Sequence, residues 1–136
     1  SNQKYYIHAR SYKNYTLGGK TSRSYSSWCS VKSINTKPNT PSLKSVSGSK
    51  KALKATWSKV SGVTGYEVQV ATNSKFTSNK KTVTVGKQSA TSTTVKSLKA
   101  KKKYYVHIRS YKTVKVNGKN TKVYSNWSST KSVTTK

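Results

Sequence analysis

The sequence predicts an all-β fold, a seven-strand antiparallel sandwich, on three observations. Apolar and polar residues alternate with period two through GYEVQV (65–70) and YYVHIR (104–109), the pattern of strands buried on one face. Turn signals recur about every ten residues, and no stretch carries helical periodicity. Residues 4–37 and 103–136 are one segment written twice, 99 positions apart, with eighteen of 34 positions identical without a gap. A period that long is a whole domain rather than a solenoid unit. Residues 38–136 are therefore expected to form a complete copy, and residues 1–37 the last third of a preceding one.

Each element has its own signal. KPNTP (37–41) reads as a linker between repeats, because proline fixes its own backbone and restricts the residue before it. LKSV (43–46) and KALKATW (51–57) read as strands joined by a turn over Ser47, Gly48, Ser49 and Lys50. A two-glycine loop leads to the strand GYEVQVAT (65–72), with Tyr66, Val68 and Val70 opposite Glu67 and Gln69. A turn over 73–80 precedes the strand KTVTV (81–85), and a loop over 86–90 precedes STTVKSL (92–98). After a basic corner at 100–103, YYVHIRSYK (104–112) places Tyr104, Val106, Ile108 and Ser110 on one face. Tyr105, His107, Arg109 and Tyr111 share the other. The chain turns at Asn117-Gly118 into a last strand expected from about 123 to 135.

Composition sets the limits on function. Twenty-eight Lys and Arg face one acid, Glu67, giving a formal charge of +27. The 31% hydrophobic content and 42 Ser and Thr would by themselves suggest disorder. The alternating Val, Tyr and Thr runs instead indicate a small core under a polar skin. With no Asp and one Glu, the chain cannot supply a carboxylate dyad, a Ser-His-Asp triad or an oxygen-rich calcium or magnesium site. His8 and His107 are two copies of one repeat position and lack zinc-ligand spacing. No enzyme activity, cofactor or metal is expected. Cys29 is the only cysteine, and its repeat counterpart is Ser128, so it reads as a small residue replacing serine rather than part of a disulfide framework. No segment approaches the ~18 apolar residues of a membrane helix.

The basic residues are almost all lysine, 25 against three arginines. Arginine forks that read bases are scarce, so sequence-specific nucleic-acid binding is not expected. Non-specific attraction to polyanions is nearly unavoidable at this charge. The longest basic run, Lys101, Lys102 and Lys103, is the candidate polyanion contact.

Taken in order and spacing, several motifs over 38–136 resemble the fibronectin type III domain. They are Trp57 ending the second strand, GYEVQV after it, Leu98 six positions before Tyr104, and the finish YSNWSSTKSVTT. The resemblance is strongest to the lysine-rich tandem repeats of Gram-positive bacterial surface and secreted proteins. It implies an immunoglobulin-like sandwich of strands A, B, C, C′, E, F and G in two sheets. Trp57 would be the core tryptophan of B, and Tyr104 a corner tyrosine bonded back to backbone near Leu98. Residues 1–37 would be strands F and G of the preceding domain.

The same resemblance places Tyr105, His107, Arg109 and Tyr111 of F beside C and G, with Arg109 next to Glu67 and Trp127. Tyr6, His8, Arg10, Tyr12 and Trp28 would repeat this face one domain earlier. The face reads either as a ladder that stiffens the sheet or as a ligand and stacking face. SNWSS is similar to the Trp-Ser-x-Trp-Ser element of cytokine receptors, with Tyr124-Ser125 in place of the first pair. The implied role is a non-catalytic spacer and adhesion module of an exported bacterial protein, secreted or associated with the cell wall. Its partners would be neighbouring domains of the same polypeptide and anionic wall polymers or glycans. The alternative is a carbohydrate-binding accessory module attached to a secreted glycan-active enzyme. Strands F and G alone cannot enclose a core, so residues 1–37 are also expected to seek a partner and to form dimers.

Overall fold

The computed structural model describes residues 3–136; residues 1 and 2 of the expected first-repeat segment lie outside the described residues. The chain divides into two compact units, one of them Gln3–Thr36 and the other comprising Lys37–Lys136.

In the first unit, β2 (Tyr12–Leu17) and β3 (Lys20–Tyr25) form a hairpin across a two-residue loop. Gly18 and Gly19 fill that loop at φ 57° and 76°, the left-handed backbone that matches the twist of paired strands. β1 (Lys4–Ile7) pairs with β4 (Lys32–Asn35) at the other end of the same two arms. Tyr5, Ile7 and Ile34 of this pair are 53%, 56% and 57% exposed. Their repeat equivalents Tyr104 and Val106 are 4% and 0% exposed, so the first unit displays the face that the second buries.

The second unit is an all-β sandwich of the immunoglobulin type. One sheet holds β5 (Leu43–Ser49), β6 (Ala52–Trp57) and β9 (Ser92–Val95) in that order. The other is built on β7 (Gly65–Ala71), β8 (Lys81–Val85) and β10 (Lys103–Val116), with β11 (Lys119–Tyr124) and β12 (Lys131–Thr134) both pairing β10. The order β8-β7-β10-β11 corresponds to C′, C, F and G, and β5-β6-β9 to A, B and E. Leu53, Ala55 and Trp57 of one sheet face Tyr66, Val68, Val70, Val106 and Ile108 of the other, all at most 1% exposed. The Tyr66 hydroxyl, inside this core, accepts the Val60 amide (2.8 Å) and donates to the Gln88 carbonyl (2.9 Å), satisfying a polar group that burial would otherwise penalise.

Several boundaries differ from the sequence expectation; β10 runs on to Val116 instead of residue 112 because its far end pairs β11 as far as Lys119. The turn expected over Ser47 to Lys50 lies two residues later: β5 runs to Ser49, which pairs Ala52 across Lys50 and Lys51. Gly48 is thus a strand residue, and a Cβ there would strike the Thr134 carbonyl oxygen; it permits a close approach of two backbones rather than a bend. β9 ends at Val95 rather than Leu98, because the Leu98 amide turns to the Lys51 carbonyl (2.9 Å). The last strand, expected as one run, is two pieces separated by residues 125–130.

In that gap, serine side chains complete the pairing. The Ser125 amide donates to the Ser110 carbonyl (3.0 Å) while its Oγ accepts the Ser110 amide (3.0 Å). Ser128 makes the same exchange with Ile108, at 2.8 Å and 3.1 Å. The first unit repeats both, Ser26 with Ser11 and Cys29 with Ala9, where the Cys29 Sγ accepts the Ala9 amide (3.1 Å). Thr135 and Thr36 close the far end in the same manner, on Lys102 and Gln3.

Candidate functional site

The solvent side of β10 carries the candidate face, and its side chains form one continuous stack. Arg109 lies between two rings, its Cζ 3.6 Å from the Tyr124 centroid and 4.4 Å from that of Trp127. Trp127 stacks in turn on His107 (3.9 Å, 8° between planes), and His107 on Phe76 (3.5 Å, 5°). Lys122 sits 4.4 Å over the Tyr111 ring, which tilts against Tyr124. Guanidinium over a ring face is attracted by the aromatic quadrupole, worth about 0.5–1 kcal/mol per exposed contact. The extended 125–130 segment is what lets Trp127 reach this face, since the serine exchanges hold it against β10 without a regular ladder.

The first unit builds the same stack from its own residues. Arg10 lies 3.9 Å over Tyr25 and 4.5 Å over Trp28, and His8 stacks on Trp28 at 4.0 Å. Arg23 covers Tyr12 as Lys122 covers Tyr111. Tyr6, 68% exposed, lies under the Lys4 ammonium at 4.8 Å, as Tyr105 lies under Lys103 at 5.4 Å. The arginine, histidine, tyrosine and tryptophan stacking thus recurs in both copies, while Phe76 joins it only in the second unit.

Glu67 anchors the ladder in the second unit. Its Oε2 accepts Arg109 Nε (3.1 Å) and Nη2 (2.7 Å), and its Oε1 accepts Lys122 Nζ (3.1 Å) and the Tyr124 hydroxyl (3.1 Å). Burial pushes the carboxyl up, but the hydrogen bonds from Arg109, Lys122 and Tyr124 and the Arg109 charge outweigh it and hold it below the usual range. Burial and then the neighbouring Arg109 charge push the His107 imidazole down to about 4. The ring is thus neutral at pH 7, and its Nε2 donates to Gln69 Oε1 (3.0 Å), while Gln69 Nε2 donates to Thr82 Oγ1 (3.0 Å).

The predicted site residues fall into four groups. Trp57 and Leu98 are core residues, and the Tyr104 hydroxyl accepts the Lys99 amide (3.1 Å) beside Leu98. His107 and Tyr111 face the ladder but are buried, 8% and 4% exposed, so neither offers an open ring; Tyr105, Arg109 and Trp127 are partly exposed. In the first unit Tyr12 and Trp28 are 55% and 52% exposed. Of the basic run, Lys101 stands in the turn at φ 49°, Lys102 follows, and Lys103 begins β10.

Sequence reasoning missed Phe76, Tyr124, Lys122 and the serine exchanges. Tyr124 and Lys122 had a signal, the matching Tyr25 and Arg23 of the other copy. Phe76 had only its status as the single phenylalanine.

Solved structures share this architecture at low identity. The human collagen alpha-1(XX) fn3 domain matches with TM-score 0.54 and 20% identity, over 73% of this chain and 86% of that one. The chicken CNTN1 FN1-FN3 domains match with TM-score 0.54 and 16% identity, over 99% and 57%. A β-1,2-glucanase from Parabacteroides distasonis matches with TM-score 0.54 and 18% identity, over 88% of this chain and 16% of the enzyme. Among curated proteins no sequence matches. The family model for the fibronectin type III domain matches residues 36–131, the span that carries the sandwich and its ladder, and the chain belongs to that family.

Proposed function

We propose that the chain is a tandem-repeat spacer and adhesion module of an exported bacterial surface protein, retained on anionic cell-wall polymers by its lysines. The observation that carries this reading is the disposition of charge. The single acidic side chain, Glu67, is already engaged by Arg109 and Lys122, so the remaining positive charge has no acidic side chain to neutralise it. A surface of one sign raises the local concentration of polyanions and is screened by salt. On this reading residues 1–37 are strands F and G of a preceding repeat, and 38–136 the complete domain. The exposed Tyr5, Ile7 and Ile34 face belongs against strands A to E of that repeat, and the 136-residue chain by itself covers it with a second copy.

The ladder supports a stiffening role more than a sugar platform. Trp127 is faced by Arg109 and His107, and His107 by Trp127 and Phe76, so the rings stack on one another instead of offering open faces. The test is co-sedimentation with Gram-positive wall sacculi, intact or stripped of teichoic acids, at low and moderate salt. Binding that disappears on stripping and weakens in salt is the expected result. Equal binding to stripped and intact sacculi, insensitive to salt, would refute the tether.

A further inference from the structure

The turn that follows β7 and the corner between β9 and β10 flank a half-open recess of about 480 Å3. Four lysines line it, Lys80, Lys81, Lys99 and Lys102, together with Asn79 and Tyr104, and no carboxylate does. Two of the lining side chains are tied down by hydrogen bonds. Asn79 Nδ2 donates to Thr72 Oγ1 (3.2 Å), and Lys81 Nζ donates to the Lys96 carbonyl (2.6 Å), linking β8 to the end of β9 across the opening between the sheets. Tyr104 is buried to 4% exposure; its oxygen accepts the Lys99 amide (3.1 Å), which leaves its own proton for a further acceptor.

We propose that this recess is a binding site for the phosphodiester groups of a polyol-phosphate polymer, a localised site within the electrostatic tether argued above and dependent on that reading. Ammonium groups and a phenol around one recess suit a tetrahedral oxyanion with acceptors on several sides, whereas a planar carboxylate is matched by an arginine fork that the lining lacks. No stacking surface for a nucleobase other than Tyr104 lines the recess, which favours a polyol over a nucleic acid.

The experiment compares two variants of equal charge in the full chain. One is Lys80→Gln, Lys99→Gln, Lys102→Gln; the other is Lys44→Gln, Lys54→Gln, Lys59→Gln, whose lysines line a separate recess beside Trp57. Lys81 is kept because it joins the two sheets. Affinity for poly(glycerol phosphate) should fall roughly tenfold or more in the first variant and much less in the second. Inorganic phosphate should shift the amide resonances of residues 79–81 and 97–102, and acetate should not. Equal weakening in both variants would overturn the site and leave a diffuse tether standing. Failure of the unaltered chain to bind poly(glycerol phosphate) would overturn both readings. Polyglutamate or single-stranded DNA bound as tightly, through the same three lysines, would overturn the assignment of the ligand.

Discussion

Glu67 meets four donors from three side chains while only 6% exposed, so removing its charge strands several partners at once. Glu67→Gln keeps the volume but leaves Arg109 without its counter-ion, and should destabilise the domain by about 3 kcal/mol, read by denaturant unfolding. His107 supplies a separate acid limb. Its folded value is about 4 against an ordinary 6.5, so between those values the unfolded chain binds the extra proton and stability falls as pH falls. The loss through that window should be on the order of 2 kcal/mol. Glu67 is depressed, so its contribution is complete above the ordinary carboxyl value of about 4.3 and is lost only below it. His107→Phe preserves the stack with Phe76 and Trp127, and should flatten stability between pH 6.5 and 4 while leaving the lower limb. An unchanged upper limb in that variant would show that another group titrates there.

The F and G strands show how much a sequence can hide in a composition rich in serine and threonine. Alternation made β7 and β10 legible, and the faces of β10 follow it, with Tyr104, Val106, Ile108 and Ser110 at most 4% exposed. The gap in G was illegible because serine and threonine make up so much of the chain that no single hydroxyl stood out. The repeat held the missing signal: Ser26 and Ser125, Cys29 and Ser128, and Thr36 and Thr135 keep a hydroxyl or thiol at every exchange. Ser128→Ala should therefore cost about 1–2 kcal/mol by stranding the Ile108 amide, while Ser128→Cys, the residue the first copy uses, should cost less than half of that. Thermal unfolding of the two variants checks the difference. The Gly48 misreading has a similar origin, because glycine marks a turn or a close approach with one letter, and only the Thr134 carbonyl across from it separates the two. Gly48→Ala should destabilise by more than about 1 kcal/mol, as it forces β5 and β12 apart.

At the scale of the molecule, the two units divide the fold unequally. Lys37–Lys136 holds the described hydrophobic core, and the first unit holds a ladder without one. A chain of residues 37–136 should unfold with the cooperativity of the sandwich and sediment as a monomer, while the 136-residue chain should dimerise through the Tyr5, Ile7 and Ile34 face. Sedimentation velocity decides this, and equal association of both chains would remove the first unit from the account. The clustering of particular lysines was not legible from their number, because a charge count fixes sign and not position. Only folding brings Lys80 and Lys81 to Lys99 and Lys102.

The most direct measurement of the electrostatic tether is the affinity of the 136-residue chain for poly(glycerol phosphate) at a series of salt concentrations, with Trp127→Ala in parallel. Log affinity is predicted to fall steeply and linearly with log salt, with the Trp127→Ala line close to the unaltered one. A flat salt dependence with affinity lost in Trp127→Ala would contradict the tether and assign binding to the aromatic ladder.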